Sequence, residues 1–247
     1  MRPRIVDLRV DEIEWAPLGP PGLYSRLLSR DEETGARTAL QRLAPQDGYS
    51  PPDVAHYHHT YEELLGVTGC FSFDSRNWVR PGSYLFHPPR TVHGFASAIR
   101  EESTFLSRVG RDLDFNFVEE PEHDDLYVVE GAPPPRAPVA IGPEQSLEGF
   151  GEGDFLGALA QVRPLSVDPQ IGEGSAFVKL PKGWKSEATK LDYYLEIFVM
   201  EGGLGVDGGD ASPRRSYFFY PPGEPINAFE AGSDTLAYVN FGEPVPQ

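Results

Sequence analysis

Short runs rich in Val, Leu, Phe and Tyr alternate along the chain with clusters of Gly, Pro, Asp and Ser, a rhythm that predicts strands rather than helices. Leu23 to Leu28 and Thr38 to Leu43 flank Asp31-Glu-Glu-Thr-Gly35, where glycine supplies the positive φ of a hairpin. Further strands are expected at 62–68, 70–74, 83–87, 94–99 and 103–109. The one plausible helix is short, near 143–149.

The character changes between about 119 and 154, where Glu119-Glu-Pro-Glu-His-Asp-Asp precedes Gly131-Ala-Pro-Pro-Pro-Arg-Ala-Pro. Proline there favours extended chain, so this reads as a linker, with Leu126-Tyr-Val-Val able to add an edge strand to either side. The two flanking regions repeat each other. Ser83-Tyr-Leu-Phe-His-Pro-Pro89 matches Ser216-Tyr-Phe-Phe-Tyr-Pro-Pro222, and Glu63-Leu-Leu-Gly-Val-Thr-Gly69 matches Glu196-Ile-Phe-Val-Met-Glu-Gly202, both displaced by 133 residues. The expectation is an all-β tandem duplication, with domains at 1–118 and 155–247 and a linker at 119–154.

Composition narrows the function classes. Twenty-five Pro and 26 Gly suit a turn-rich β protein, and a net charge of −17 repels nucleic-acid phosphates and anionic membranes. No nucleic-acid or membrane partner is therefore expected; a small-molecule substrate is the partner expected from the site chemistry below, and an exposed sheet edge would allow a homodimer. Cys70 is the single cysteine, which excludes an intrachain disulfide and predicts a buried structural thiol in a cytoplasmic protein. Gly202-Gly-Leu-Gly-Val-Asp-Gly-Gly sits between strands and reads as a hairpin turn, not a phosphate loop.

The chemistry concentrates between 56 and 93. His56 and His58 are two residues apart, so on a strand both imidazoles point to one face and Tyr57 points away. Glu62 follows closely and His93 arrives from a distant strand, a spacing that suits a closed barrel whose strands face each other across the interior. Three imidazoles and one carboxylate would hold one divalent metal ion per chain and leave positions open for substrate, water or dioxygen.

This stretch resembles the cupin superfamily, whose motifs are G(X)5HXH(X)3-4E(X)6G and G(X)5PXG(X)2H(X)3N. His56, His58, Glu62 and Gly69 fit the first motif, and Gly82, Pro88 and His93 fit the second. Gly48 stands two residues too far upstream, Arg90 replaces the second motif's glycine, and Ser97 replaces its asparagine. The resemblance implies two tandem cupin barrels of the double-stranded β-helix or jelly-roll type. It admits Glu62 or Glu63 as the carboxylate. Glu62 keeps six residues before Gly69, which leaves Glu63 as a surface or hydrogen-bonding residue. His59 is expected in a solvated turn, His87 at the site's mouth and His123 among the acids of the linker.

Carried across by 133 residues, the four ligand positions become Thr189, Leu191, Leu195 and Ile226, so the second barrel is expected to lack metal. Its Tyr193, Tyr194, Phe198, Phe218, Phe219 and Tyr220 read as core and barrel-interface residues. In the first barrel Tyr61, Trp78, Phe86 and Phe95 are the aromatic candidates for a substrate pocket. The family's chemistry points to a non-heme dioxygenase cleaving a small aromatic or diketone-like compound, with Fe(II) favoured over Zn, Mn, Ni or Co and with Glu62 also the candidate catalytic base. The alternatives are an isomerase or lyase of a hydroxy-carbonyl compound, and a non-catalytic small-molecule or redox sensor like the cupin domains of zinc-binding anti-sigma factors.

Overall fold

In the computed structural model, which describes residues 1–51, 54–129, 134–212 and 214–242, the predicted hairpin forms between Leu23–Arg30 and Arg37–Leu43. Its turn is held by the Asp31 carboxylate, which accepts from the backbone N–H groups of Glu33 and Thr34. Two pairs of expected strands each fuse into one long strand, Glu62–Ser72 and Ala98–Val109, which lie antiparallel with register shifts between Ile99 and Phe105. The shift follows from Gly69, whose φ of 79° and close approach to the Glu102 carbonyl leave no room for a Cβ.

Two compact units result. The unit Glu14–Ser146 holds a sheet in the order Val139–Ile141, Tyr84–His87, Glu62–Ser72, Ala98–Val109, Arg37–Leu43, Leu23–Arg30, Ala16–Pro17. Short pairs complete it: His56–Tyr57 with Asn116–Phe117, and Thr91–Val92 with Tyr127–Val128, joined by a bridge between His56 and His93. Leu43, Leu64, Phe71, Val79, Leu85 and Phe105 form one cluster of its core. Cys70 is buried with its thiol free.

The unit formed by Met1–Ile13 and Leu147–Gln247 repeats that order with Ile5–Arg9, Ser216–Tyr220, Leu195–Glu201, Thr235–Phe241, Gly174–Leu180, Ala158–Val167 and Gly151–Phe155. Ile197, Val199, Phe218, Tyr220 and Val239 are buried in its core, as is Phe198. Phe219 is buried too, while Tyr193 and Tyr194 are only half-buried.

The boundaries expected from sequence, 1–118, 119–154 and 155–247, are corrected by the hydrogen bonding of edge strands. Tyr127–Val128 and Val139–Ile141 pair inside the first unit, so most of the expected linker belongs there; its residues 130–133 lie outside the described residues. Ile5–Arg9 pairs with Ser216–Tyr220, so the first strand of the chain belongs to the second unit. Arg2 and Arg136 each stand three residues before these edge strands and make equivalent contacts. Arg136 reaches Glu63 and Tyr84, and Arg2 reaches Glu196 and Tyr217. Each sequence repeat therefore begins with a strand that completes the sheet of the other. The expected short helix is Pro143–Ser146. The expected glycine-rich turn is itself partly strand, because Leu204–Val206 pairs with Phe229–Ala231.

Candidate metal centre

His56 and His58 approach His93 because the backbones of His56 and His93 exchange two hydrogen bonds of 2.9 Å. The three rings lie with centroids 4.5 to 5.1 Å apart, and one ligand atom from each lies within 4.8 Å of the others. Separations within that bound suit nitrogens that each stand about 2.1 Å from one ion.

The tautomers are set by the main chain. Nδ1 of His56 faces the Val54 carbonyl at 2.8 Å, Nδ1 of His93 faces that of Thr91 at 2.9 Å, and Nδ1 of His58 bonds the Asp114 carbonyl. A carbonyl only accepts, so each Nδ1 carries the proton and each Nε2 keeps its lone pair for an ion. Burial, with His93 nearby, pushes His56 down to about 4, so its ring is neutral without help from a metal.

Glu62 completes the set from the start of Glu62–Ser72, with Oε2 3.3 Å from Nε2 of His93 and 4.0 Å from Nε2 of His58. Burial opposes its ionisation, but His87 and His93 outweigh it and hold the carboxyl well below its usual range. The residues present thus fit a divalent ion: three nitrogen donors with fixed tautomers and an ionised oxygen donor. Glu63, one residue on, points away as strand alternation requires. It is not at the surface, being buried between Tyr84, Arg108 and Arg136.

His87 is the residue whose role the sequence left vague. It does not line the mouth of the cavity; it is 2% exposed, lies across the ladder from Glu62, and puts Nδ1 3.9 Å from Glu62 Oε2. Glu62, His87 and His93 form a second group able to hold an ion, and neither His87 nitrogen has a hydrogen-bond partner among the described residues. The register Glu62↔His87, which the hairpin could have suggested, is the signal that would have found it. His59 is exposed beside Asp114, and His123 packs against Tyr127.

A cavity of about 390 Å³ opens onto His56, His58, Glu62 and His93. Its walls are Leu23, Leu43, Tyr49, Phe73, Phe105 and Phe115, with Arg37 and Gln41 as polar members. Arg37, Gln41 and Leu43 share one face of a strand by alternation. The aromatic candidates from sequence lie elsewhere: Tyr61 stacks on Phe86, Arg136 covers Phe86, Arg100 covers Trp78, and Phe95 stacks on Tyr127. They serve packing because each has its own ring or guanidinium partner.

In the turn before His93, Arg90 stands where the second motif has glycine and itself adopts a φ of 69°, with its N–H donating to the His58 carbonyl at 2.7 Å. Gly94 admits no such replacement. A Cβ there would stand 2.8 Å from the His56 ring at a φ of 80°. Gly94→Ala is expected to tilt His56 and weaken metal binding about 10- to 100-fold with every ligand retained, measured by competition with a chelator. Unchanged affinity would show that His56 has freedom the packing denies.

Residues 5–111 match the family model of the ChrR cupin-like domain. No curated protein sequence matches the chain. Among solved structures it is similar to a candidate dioxygenase from Nostoc punctiforme, with a TM-score of 0.70 and 17% identity over 100% of this chain and 81% of that one. It is also similar to a salicylate 1,2-dioxygenase from Pseudaminobacter salicylatoxidans, with a TM-score of 0.60 and 14% identity over 89% and 76%. The oxalate decarboxylase of Bacillus subtilis gives 0.53 and 13% over 96% and 76%. These likenesses establish the cupin fold. No helix among the described residues is long and apolar enough to cross a membrane.

Proposed function

We propose that this chain, a member of the cupin superfamily, is a non-heme metal-dependent dioxygenase acting on a small aromatic or diketone-like substrate. The observation that supports this most is the junction of three imidazoles and one carboxylate with a mostly apolar cavity of about 390 Å³. A divalent ion held by His56, His58, Glu62 and His93, with Fe(II) favoured, would supply Lewis acidity and dioxygen activation there.

The chain's own residues do the rest. Leu43, Phe73 and Phe105 keep water from the reacting face, and Phe115 lies against the His56 and His58 rings at 5.3 and 4.9 Å. Gln41 offers an amide, and Arg37, which donates from Nη1 to Asp112 at 2.7 Å, has further donors for a substrate oxygen. Glu62 is the carboxylate that would take the proton of an enol or phenol.

Oxygen-electrode screening of catechols, diketones and flavonols tests the reading directly. Turnover should vanish without oxygen, and turnover that persists anaerobically would exclude it in favour of an isomerase or lyase. For the substrate found, Gln41→Ala should raise KM about 5- to 10-fold, the worth of one buried hydrogen bond, with a smaller effect on kcat. An unchanged KM would remove Gln41 from the binding wall. The match of residues 5–111 to the ChrR cupin-like domain favours one other reading, a non-catalytic sensor. Full metal occupancy with no turnover and a copurifying protein partner would support that instead.

A further inference from the structure

The second unit keeps a hollow where its repeat loses the metal ligands. Thr189 pairs with Ile226 as His56 pairs with His93, and Leu195 pairs with Tyr220 as Glu62 pairs with His87. The ligand positions thus correspond residue by residue. Leu191 and Leu195, which stand for His58 and Glu62, line a cavity of about 250 Å³ together with Val162, Ala176, Val178 and Val239. Three of the four donors have been exchanged for hydrocarbon and the fourth for Thr189, but the space between Leu191 and Leu195 has not been filled. A barrel kept only as scaffold gains stability from closing such a space, since unfilled apolar volume forfeits packing contacts. Apolar cavities of even smaller size take up benzene-sized molecules.

Two features of the rim describe an occupant. Tyr193, half-buried, lines the cavity with a hydroxyl that has no hydrogen-bond partner among the described residues. Asp154 is exposed at the same rim and accepts at Oδ1 from the Gly157 N–H at 3.1 Å, and its charge and that of Asp192 bear on Tyr193. The second feature is backbone strain. The hairpin joining Gly151–Phe155 to Ala158–Val167 turns through Leu156 at a φ of 54° and Gly157 at 78°. Such turns are ordinarily built from Asn-Gly or Asp-Gly. Here a leucine occupies the strained position, and its side chain forms part of the cavity wall.

We propose that the second unit is a binding site for a small, mainly apolar molecule, a single ring or branched alkyl group, bearing one hydroxyl or ammonium group that meets Tyr193 and Asp154. Carboxylates are excluded by the acidic rim. The site is independent of metal and of the activity proposed for the first unit.

The test uses the full chain with benzylamine, benzyl alcohol and benzoate as probes of one size, followed by ligand-observed NMR and calorimetry. Benzylamine and benzyl alcohol should bind the wild-type chain and His58→Ala alike. Leu191→Trp, which fills the cavity from a partly buried position, should weaken both at least tenfold. Leu156→Asn, which suits the turn but removes the wall, should weaken them while raising the melting temperature, and it carries the test if Leu191→Trp does not fold. The binding sensitive to these two variants should be at least tenfold weaker for benzoate. The proposal is overturned if neither neutral nor cationic probe binds, if benzoate binds that site equally well, or if binding is lost in His58→Ala and kept in the filled variants.

Discussion

Chain carrying His58→Ala or His93→Ala is expected to purify without stoichiometric divalent metal, where the wild type holds about one ion per chain by elemental analysis. The reason lies in how little freedom the rings have. Each Nδ1 of the three is committed to a backbone carbonyl, of Val54, Thr91 or Asp114, so the two rings that remain cannot turn to cover a deleted one without breaking such a bond. Loss of affinity should exceed roughly 100-fold, more than displacing an outer partner of a ligand costs. At neutral pH the effect is one of donor count and not of protonation, because His56 sits near 4 and is already neutral. The variants should remain folded, since deleting one imidazole leaves one carbonyl unpaired, a cost of about 1–3 kcal/mol. Two ions per chain, or an ion retained in both variants, would mean that the metal lies elsewhere.

The sequence carries this candidate site legibly because its residues are polar ones at positions a strand would otherwise bury. His56, His58 and His93 have a chemical reason to be there that core packing does not supply, and the duplicate shows Thr189, Leu191 and Ile226 in their place. The strands were legible for the same cause, an alternation that the sheet demands. What the sequence hid were pairings decided over long distances. Nothing local in Ile5–Arg9 says that its partner is Ser216–Tyr220, and the proline-rich stretch around Arg136 looks like linker although it leads into Val139–Ile141. The cavity wall was hidden too. Tyr61 and Phe86 are as aromatic as Phe73 and Phe105, and only the three-dimensional register decides which of them shares the cavity with the three histidines.

The adjacent glutamates give the sharpest contrast in consequence. Glu63→Ala is expected to destabilise the first unit by about 3–5 kcal/mol, read as a large shift of its unfolding transition in urea, because removing one partner of a buried pair strands the other. Glu63 is 1% exposed. Nη1 of Arg108 donates to its Oε2 at 2.9 Å, Nη2 of Arg136 to its Oε1 at 3.3 Å, and the Tyr84 hydroxyl to that same oxygen. Without the carboxylate, two guanidiniums at 3% and 7% exposure lose the negative charge that balances them, and the Tyr84 hydroxyl beside Arg136 supplies none. Glu63→Gln should be nearly as damaging, since it can keep one hydrogen bond yet supplies no charge. Glu62→Ala should behave in the opposite way: its neighbours are imidazole rings and no guanidinium is left buried without its carboxylate, so the fold is little disturbed while metal affinity falls. The duplication supplies an internal control, because Glu196 is held by Arg2 at 2.8 Å and by Tyr217, so Glu196→Ala should reproduce the destabilisation in the second unit with metal binding intact. A Glu63→Ala chain within about 1 kcal/mol of wild type would show that the two arginines find other partners and that the buried network does not hold the sheet together.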